Sequence, residues 1–334
     1  MTKKRLLFVL NEYPQISETY IASEINALWN NFEIEVLSFN KPDLTYRHSV
    51  PYHHIPHTDR RAIANLIKRF SPDIVHGHYI FLAELLRDVS KSFGVPFTIW
   101  AHSFDILGVD RDKVARKADA INSPYCLGVL TFPFTVPLLE SAGINRDKIQ
   151  GCWPVVDVER FYDTSTNGKY VMNLGACIPK KKFEDFLRLA QQVPEKNFNL
   201  YALGYKVEEI KKTNDSMGDP VTIIPPIEPR DMPREYKKHK WLVYTACPRL
   251  ATVGWPMAVA EAQASGVGVC LRNIRPDVRE FVGDAGYLFD DVEDAKKIIC
   301  QPFSPALREL GFEHARKSDV RSHIHQLEDL WAQA

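Results

Sequence analysis

The 334-residue sequence has no two cysteines at C-x-x-C spacing. Cys126, Cys152, Cys177, Cys247, Cys270 and Cys300 are scattered along it. That pattern argues against a disulfide framework or a zinc site and for small buried residues in a reducing compartment. An excess of one charge is also missing, because Lys+Arg and Asp+Glu each total 42. No broadly basic face for nucleic acid is expected. No apolar run is long enough to span a bilayer. Lys3-Lys4-Arg5 precede a short apolar run that Asn11-Glu12-Tyr13-Pro14 ends, too short for the core of a signal peptide. A cytoplasmic location is the expectation. No strongly basic amphipathic helix demands a membrane surface, so contact with its inner face stays an option. A G-x-G-x-x-G fingerprint is absent from the first βα turn, which excludes a dinucleotide site there. No D-x-D pair stands at a strand end. His53, His54 and His57 share a loop over Pro51–Arg61 without a carboxylate or Cys at ligand spacing, so no metal site is expected.

What is present is the composition of a soluble globular chain, 45% hydrophobic and 25% charged. Its length exceeds what one core usually holds, which predicts two domains. Arg5–Leu10 is a continuous apolar run, as in a central parallel strand. Ser17-Glu18-Thr19 then opens a helix with Ile21, Ile25 and Leu28 on one stripe, and Phe32–Ser38 is the second strand. The β-α-β pattern continues through strands at Asp73–His76, Pro96–Trp100 and Gly128–Thr131. It restarts after a polar stretch, Asp163–Gly168, with strands at Tyr170–Leu174, Phe198–Leu203, Val221–Ile224, Trp241–Tyr244, Val267–Leu271 and Gly286–Phe289. The fold class is α/β, with two Rossmann-like domains. The expected divisions are 1–165, 166–315, and a helix over 316–334 that packs back toward the first domain.

Polar residues concentrate after strands, where open parallel sheets bind ligands. His76 and His78 end one strand. His102 and Asp105 follow another, and Asp105 can orient the histidine or a substrate hydroxyl. Gly175 ends a strand and Lys181 precedes a helix, an arrangement that suits a phosphate. From Tyr244 to Leu271 the chain reads strand, loop, helix, strand. The loop Val253-Gly254-Trp255-Pro256-Met257 leads free backbone N–H groups into a helix that stops at Gly266, a seat for a diphosphate. Glu261, about one turn in, can accept from a ribose diol. An ordinary crossover with a solvated glutamate reads the same locally.

These segments resemble family 4 retaining glycosyltransferases of GT-B architecture. The Tyr244–Leu271 stretch is similar to their nucleotide-sugar signature, whose second glutamate aligns with Glu261. The first would fall at Val253. YPQISETYIASEI, which contains Ser17 and Thr19, resembles a stretch of a surface-polysaccharide branch that faces the cleft. Val155-Val-Asp157-Val-Glu-Arg160-Phe161 resembles the approach to the interdomain linker. The resemblance covers nearly the whole chain and implies two domains facing across a cleft. It implies that Gly175, Lys181, Gly204, Tyr205, Ile227 and Glu261 hold a nucleoside diphosphate sugar, UDP- or GDP-linked, and that His102 lies beside the transferring carbon. Ser17, Thr19 and the 253–257 loop join the donor side, and His76 and His78 the acceptor side. The implied reaction is metal-independent hexosyl transfer, without a cofactor, to a glycan, a lipid-linked or a small-molecule acceptor. Ala176 stands where the family places an arginine, and Val253 where it places a glutamate. A binding protein without catalysis, or a nucleotide-sugar epimerase of the same architecture, is the alternative.

Overall fold

The computed structural model describes residues 3–41, 50–204, 206–250 and 252–333. It divides into two compact units, Met1–Val155 with Val320–Ala334, and Val156–Asp319.

The first unit is a seven-stranded sheet of β1 (Lys4–Glu12), β2 (Phe32–Asn40), β3 (Tyr52–His54), β4 (Ile74–His78), β5 (Phe97–Trp100), β6 (Cys126–Thr131) and β7 (Ile149–Gly151). The order is β3-β2-β1-β4-β5-β6-β7. Every pairing is parallel. Leu6 to Leu10 in β1 are buried throughout, as a strand covered on both faces requires. The order reverses between β1 and β4, so the turns leaving these strands diverge and open a crevice at their carboxyl ends. The helix Val320–Trp331 belongs to this unit. It buries Val320, His323, Ile324, Leu327 and Trp331, a spacing that puts all five on one face. The Trp331 indole N–H donates to Thr98 Oγ1 of β5 at 3.0 Å.

The second unit is a six-stranded parallel sheet of β8 (Tyr170–Ala176), β9 (Phe198–Leu203), β10 (Thr222–Ile224), β11 (His239–Tyr244), β12 (Gly268–Arg272) and β13 (Tyr287–Phe289). Its order, β10-β9-β8-β11-β12-β13, reverses between β8 and β11. The helix Met257–Ala264 is buried from Ala258 to Ala264. Its alanines let it lie deep among its neighbours, so its start is held firmly.

The structure differs from the sequence reading at several points. Pro51–Arg61 holds the edge strand β3 rather than loop alone, and β7 was not anticipated. Nor were the helices Val207–Ser216, Asp277–Val282 and Val292–Cys300. The division falls at Val155, earlier than residue 165. Val158 and Phe161 are buried in the second unit, where Phe161 meets Tyr236 edge-on at 5.5 Å. The closing segment joins the first unit from Val320 rather than 316. Ser17 is not the cap of the first helix. That helix starts at Thr19, and its cap residue Glu18 makes no capping bond.

Candidate active site

In the first unit, strand alternation decides where the histidines go. His76 and His78 are two residues apart on β4 and share a face. Beside them Thr98 and Trp100 of β5 pair in register. All four point toward the helices Thr19–Leu28 and Val320–Trp331, where Glu24 and His323 wait. Glu24 is wholly buried. His76 Nε2 lies 3.0 Å from its Oε1, His78 Nε2 3.4 Å from the same oxygen, and His323 Nε2 2.6 Å from Oε2. Burial alone would push this carboxyl up, but the surrounding imidazoles outweigh it and hold it well below its ordinary value.

The direction of each hydrogen bond follows from one donor. An indole N–H can only donate. Trp100 Nε1 lies 2.7 Å from His102 Nδ1, which must therefore accept. A neutral His102 then carries its proton on Nε2 and donates to His78 Nδ1 at 3.1 Å. His78 in turn carries its proton on Nε2 and turns it toward Glu24. Burial first, and neighbouring imidazoles second, hold His102 well below the ordinary histidine value, so it is neutral. Glu24, His76 and His78 each bring a ligand atom within 4.8 Å of the others, the spacing of a three-ligand metal set. The chain of donors works against that use, because a protonated Nε2 on His78 has no lone pair for a metal.

His76 and His78 are thus interior residues, 0% and 1% exposed, and do not line an acceptor surface. The sequence placed them at a strand end and could not show their partners on two distant helices. His102 has both ring nitrogens engaged. Asp105 does not touch its imidazole: the carboxylate Oδ2 accepts from the Ile80 N–H instead. Burial pushes the Asp105 carboxyl up to about 7, against the backbone hydrogen bond from Ile80. Ser17 is exposed and Thr19 half-buried at the start of the first helix.

In the second unit the carboxyl ends of β8, β9, β10 and β11 bring together Gly175, Gly204, Ile227 and the loop into the Met257–Ala264 helix. Tyr205 lies outside the described residues. Gly175 has φ +133, and a Cβ there would sit 3.4 Å from Lys181 Nζ. Lys181 Nζ lies 4.2 Å from the centroid of the Tyr244 ring. Its backbone is pinned by the Thr245 hydroxyl, which donates to Lys181 O at 2.8 Å. Among the described residues no carboxylate pairs with this ammonium. Burial, and Lys180 beside it, push Lys181 down to about 7.

The 252–256 loop alternates. Val253 and Trp255 turn inward, at 4% and 2% exposure, while Gly254, Pro256 and Met257 stay half-buried. Trp255 stacks on Phe281 at 5.0 Å and donates to Asp277 Oδ2 at 2.8 Å. Arg275 was not singled out from sequence. It donates to Val253 O at 2.7 Å while pairing with Asp277 Oδ1 at 2.8 Å. The Trp255 side chain and the Val253 carbonyl therefore anchor this loop to Asp277, Phe281 and Arg275. Glu261 is buried, and its Oε2 accepts from the Tyr236 hydroxyl at 2.7 Å. Burial raises its pKa, against the Tyr236 bond and the Arg160 charge. No hydrogen bond to Oε1 occurs among the described residues.

Residues 168–302 match the family model described as Glycosyl transferases group 1. No curated protein matches the chain. Among solved structures it is similar to Anabaena HepE in complex with UDP and glucose, at 15% identity and TM-score 0.80, covering 99% of this chain and 100% of that one. It is also similar to a sucrose-phosphate synthase from Thermosynechococcus elongatus, at 13% identity and TM-score 0.78, covering 99% of each. The lipopolysaccharide outer core galactosyltransferase WaaB, apo form, matches at 15% identity and TM-score 0.63, over 94% of this chain and 97% of that one. The fold is that of GT-B glycosyltransferases. The residues that match this family model fall within the second unit. No helix among the described residues is long and apolar enough to cross a membrane.

Proposed function

We propose that this chain is a retaining hexosyltransferase that takes its sugar from a nucleoside diphosphate sugar, UDP-linked by preference. One observation carries the reading. Among the described residues Lys181 holds an ammonium with no carboxylate partner, at the carboxyl end of a parallel sheet, in a domain that matches glycosyltransferases. A cation held at such a cost is a site prepared for an anion. A donor diphosphate supplies that charge. It also accepts from the amides entering the Met257–Ala264 helix, where Pro256 provides no side-chain cap. Glu261 takes the ribose diol through Oε1, with Tyr236 fixing the rotamer. The HepE structure that this chain resembles is a complex with UDP and glucose, which favours uridine.

In this reading the acceptor hydroxyl attacks the anomeric carbon on the face the diphosphate leaves. The departing phosphate oxygen takes the hydroxyl proton. His102, neutral and with both nitrogens occupied, supplies shape and a fixed backbone rather than a proton. The reading includes no metal ion, since the sequence has no D-x-D pair at a strand end. Surface-glycan assembly in the cytoplasm, with peripheral membrane contact, is the setting that the resembling branch favours.

Val253 and Ala176 favour a second reading, a nucleotide-sugar-binding protein without turnover. Calorimetric titration with UDP-, GDP- and ADP-sugars, with donor hydrolysis followed in EDTA, separates the two. Tight UDP-sugar binding with slow EDTA-insensitive hydrolysis supports the transferase. Binding with no hydrolysis or transfer supports the second reading, and no nucleotide binding removes both.

A further inference from the structure

Tyr79 follows β4 with φ 78 and ψ 126, a conformation that costs a bulky side chain free energy. Two bonds hold it there. Its N–H donates to Trp100 O at 2.7 Å, and the next amide, Ile80 N–H, donates to the Asp105 carboxylate. This backbone swings the phenol toward the start of the Thr19–Leu28 helix. The Tyr79 hydroxyl donates to Glu18 Oε1 and stands 2.9 Å from the Tyr20 hydroxyl. The two phenol rings lean over His102, with centroids 4.7 and 4.8 Å from it. On its other side Tyr79 stacks against Phe81 at 5.3 Å and 15°, and Phe81 is 41% exposed.

The result is a half-buried carboxyl between phenols, joined through one tyrosine to an exposed aromatic face. It sits at the switch point between β1 and β4, where the sheet order reverses. Glu18 is left uncommitted by the helix it begins, since it makes no capping bond. Burial pushes its carboxyl up to about 7, as it does Asp105 nearby. An acceptor oxygen, phenol hydroxyls and a bare ring face form the chemistry that binds a pyranose: the hydroxyls take the polar groups, and the C–H face lies on the ring.

We propose that Glu18, Tyr20, Tyr79 and Phe81 form a pyranose-binding subsite on the first unit, and that the acceptor is therefore a sugar rather than a bare lipid or an aromatic small molecule. This rests on the transferase reading only for calling that sugar the acceptor. Sugar binding itself is independent of it. Glu18 accepts from a ring hydroxyl, and Phe81 covers the apolar face. Asp105 is a positioning residue, acting through the Ile80 amide that fixes Tyr79.

The test titrates the full chain with methyl gluco-, galacto- and mannopyranosides and their methyl disaccharides, using saturation-transfer NMR, while calorimetry with UDP is run on the same samples. Saturable binding of at least one glycoside is expected. Glu18→Gln and Phe81→Ala should each weaken it roughly tenfold while leaving the UDP affinity unchanged. Both substitutions fall at partly exposed side chains, and Glu18→Gln keeps the shape, so folding is retained. No saturable binding of any glycoside at tens of millimolar overturns the proposal, as does equal affinity in wild type and both variants. If UDP fails to bind, the donor reading falls while the glycoside titration still decides this one.

Discussion

If Lys181 awaits a diphosphate, donor binding must take up a proton. In the free protein, burial and Lys180 hold the amine near 7 rather than at the ordinary lysine value of 10.5. That depression corresponds to roughly 5 kcal/mol of penalty on the charged form. A bound diphosphate replaces the missing counter-charge and returns the pKa toward its usual range. At pH 8 about nine molecules in ten are neutral at Lys181 before binding and charged after, so about 0.9 proton is absorbed. Affinity then falls about tenfold per pH unit above 7 and levels off below it. UDP-glucose is the suitable ligand, because a diphosphodiester has no phosphate group titrating near neutrality, unlike UDP. Calorimetry at pH 7.0, 7.5, 8.0 and 8.5, in buffers of small and large ionisation heat, measures both quantities. Lys181→Met should abolish the slope, and Lys180→Met should keep a slope but move its onset to higher pH. A flat affinity across this range, or identical heats in all buffers, refutes the argument that an unpaired buried ammonium prepares the site.

Three further outcomes follow from the geometry. Glu261→Ala should cost roughly ten- to a hundredfold in UDP affinity, measured by calorimetry, and about 1–3 kcal/mol of stability in urea, because the Tyr236 hydroxyl loses its acceptor. Trp100→Phe removes the donor that sets the ring protonation, so nitrogen-15 spectra should show His102 and His78 shifting from their Nε2–H forms toward a mixture. Unchanged spectra would remove the relay. Asp105→Asn should alter the pH dependence of stability. The folded pKa of Asp105 is raised to about 7, so its contribution is complete below its unfolded value near 3.8 and is lost as pH rises through 7. Wild type should therefore lose about 2–3 kcal/mol from this group between pH 5 and 8 that the variant retains, as read by paired urea titrations.

Much of the architecture was legible in the chain. Buried parallel strands announce themselves as apolar runs, and Arg5–Leu10 and Phe198–Leu203 lie within or match the observed strands. Lys181 stood out because a strand, a glycine and a lysine before a helix form a local arrangement. The histidine cluster was not legible, because its centre, Glu24, is distant in sequence from each of its partners. A strand-end histidine looks the same whether it faces solvent or a buried carboxylate. Glu18 was passed over because, within a Ser-Glu-Thr run, it reads as part of a helix start, whereas its partner comes from a strained turn after β4. Arg275 was missed for the same reason: a loop arginine gives no sign that it will grip the carbonyl of Val253.

The first unit is assembled from two stretches that are separated by the entire second unit. Its interior carboxylate gains its third imidazole, His323, only from the stretch that follows the second unit. During synthesis on a ribosome, the early stretch therefore waits, with Glu24 partly unanswered, until the second unit has been made. A fragment ending at Val155 would lack His323 and Trp331 and should be retained by chaperones or degraded. A split version in which the final helix is supplied as a separate peptide should restore its compactness.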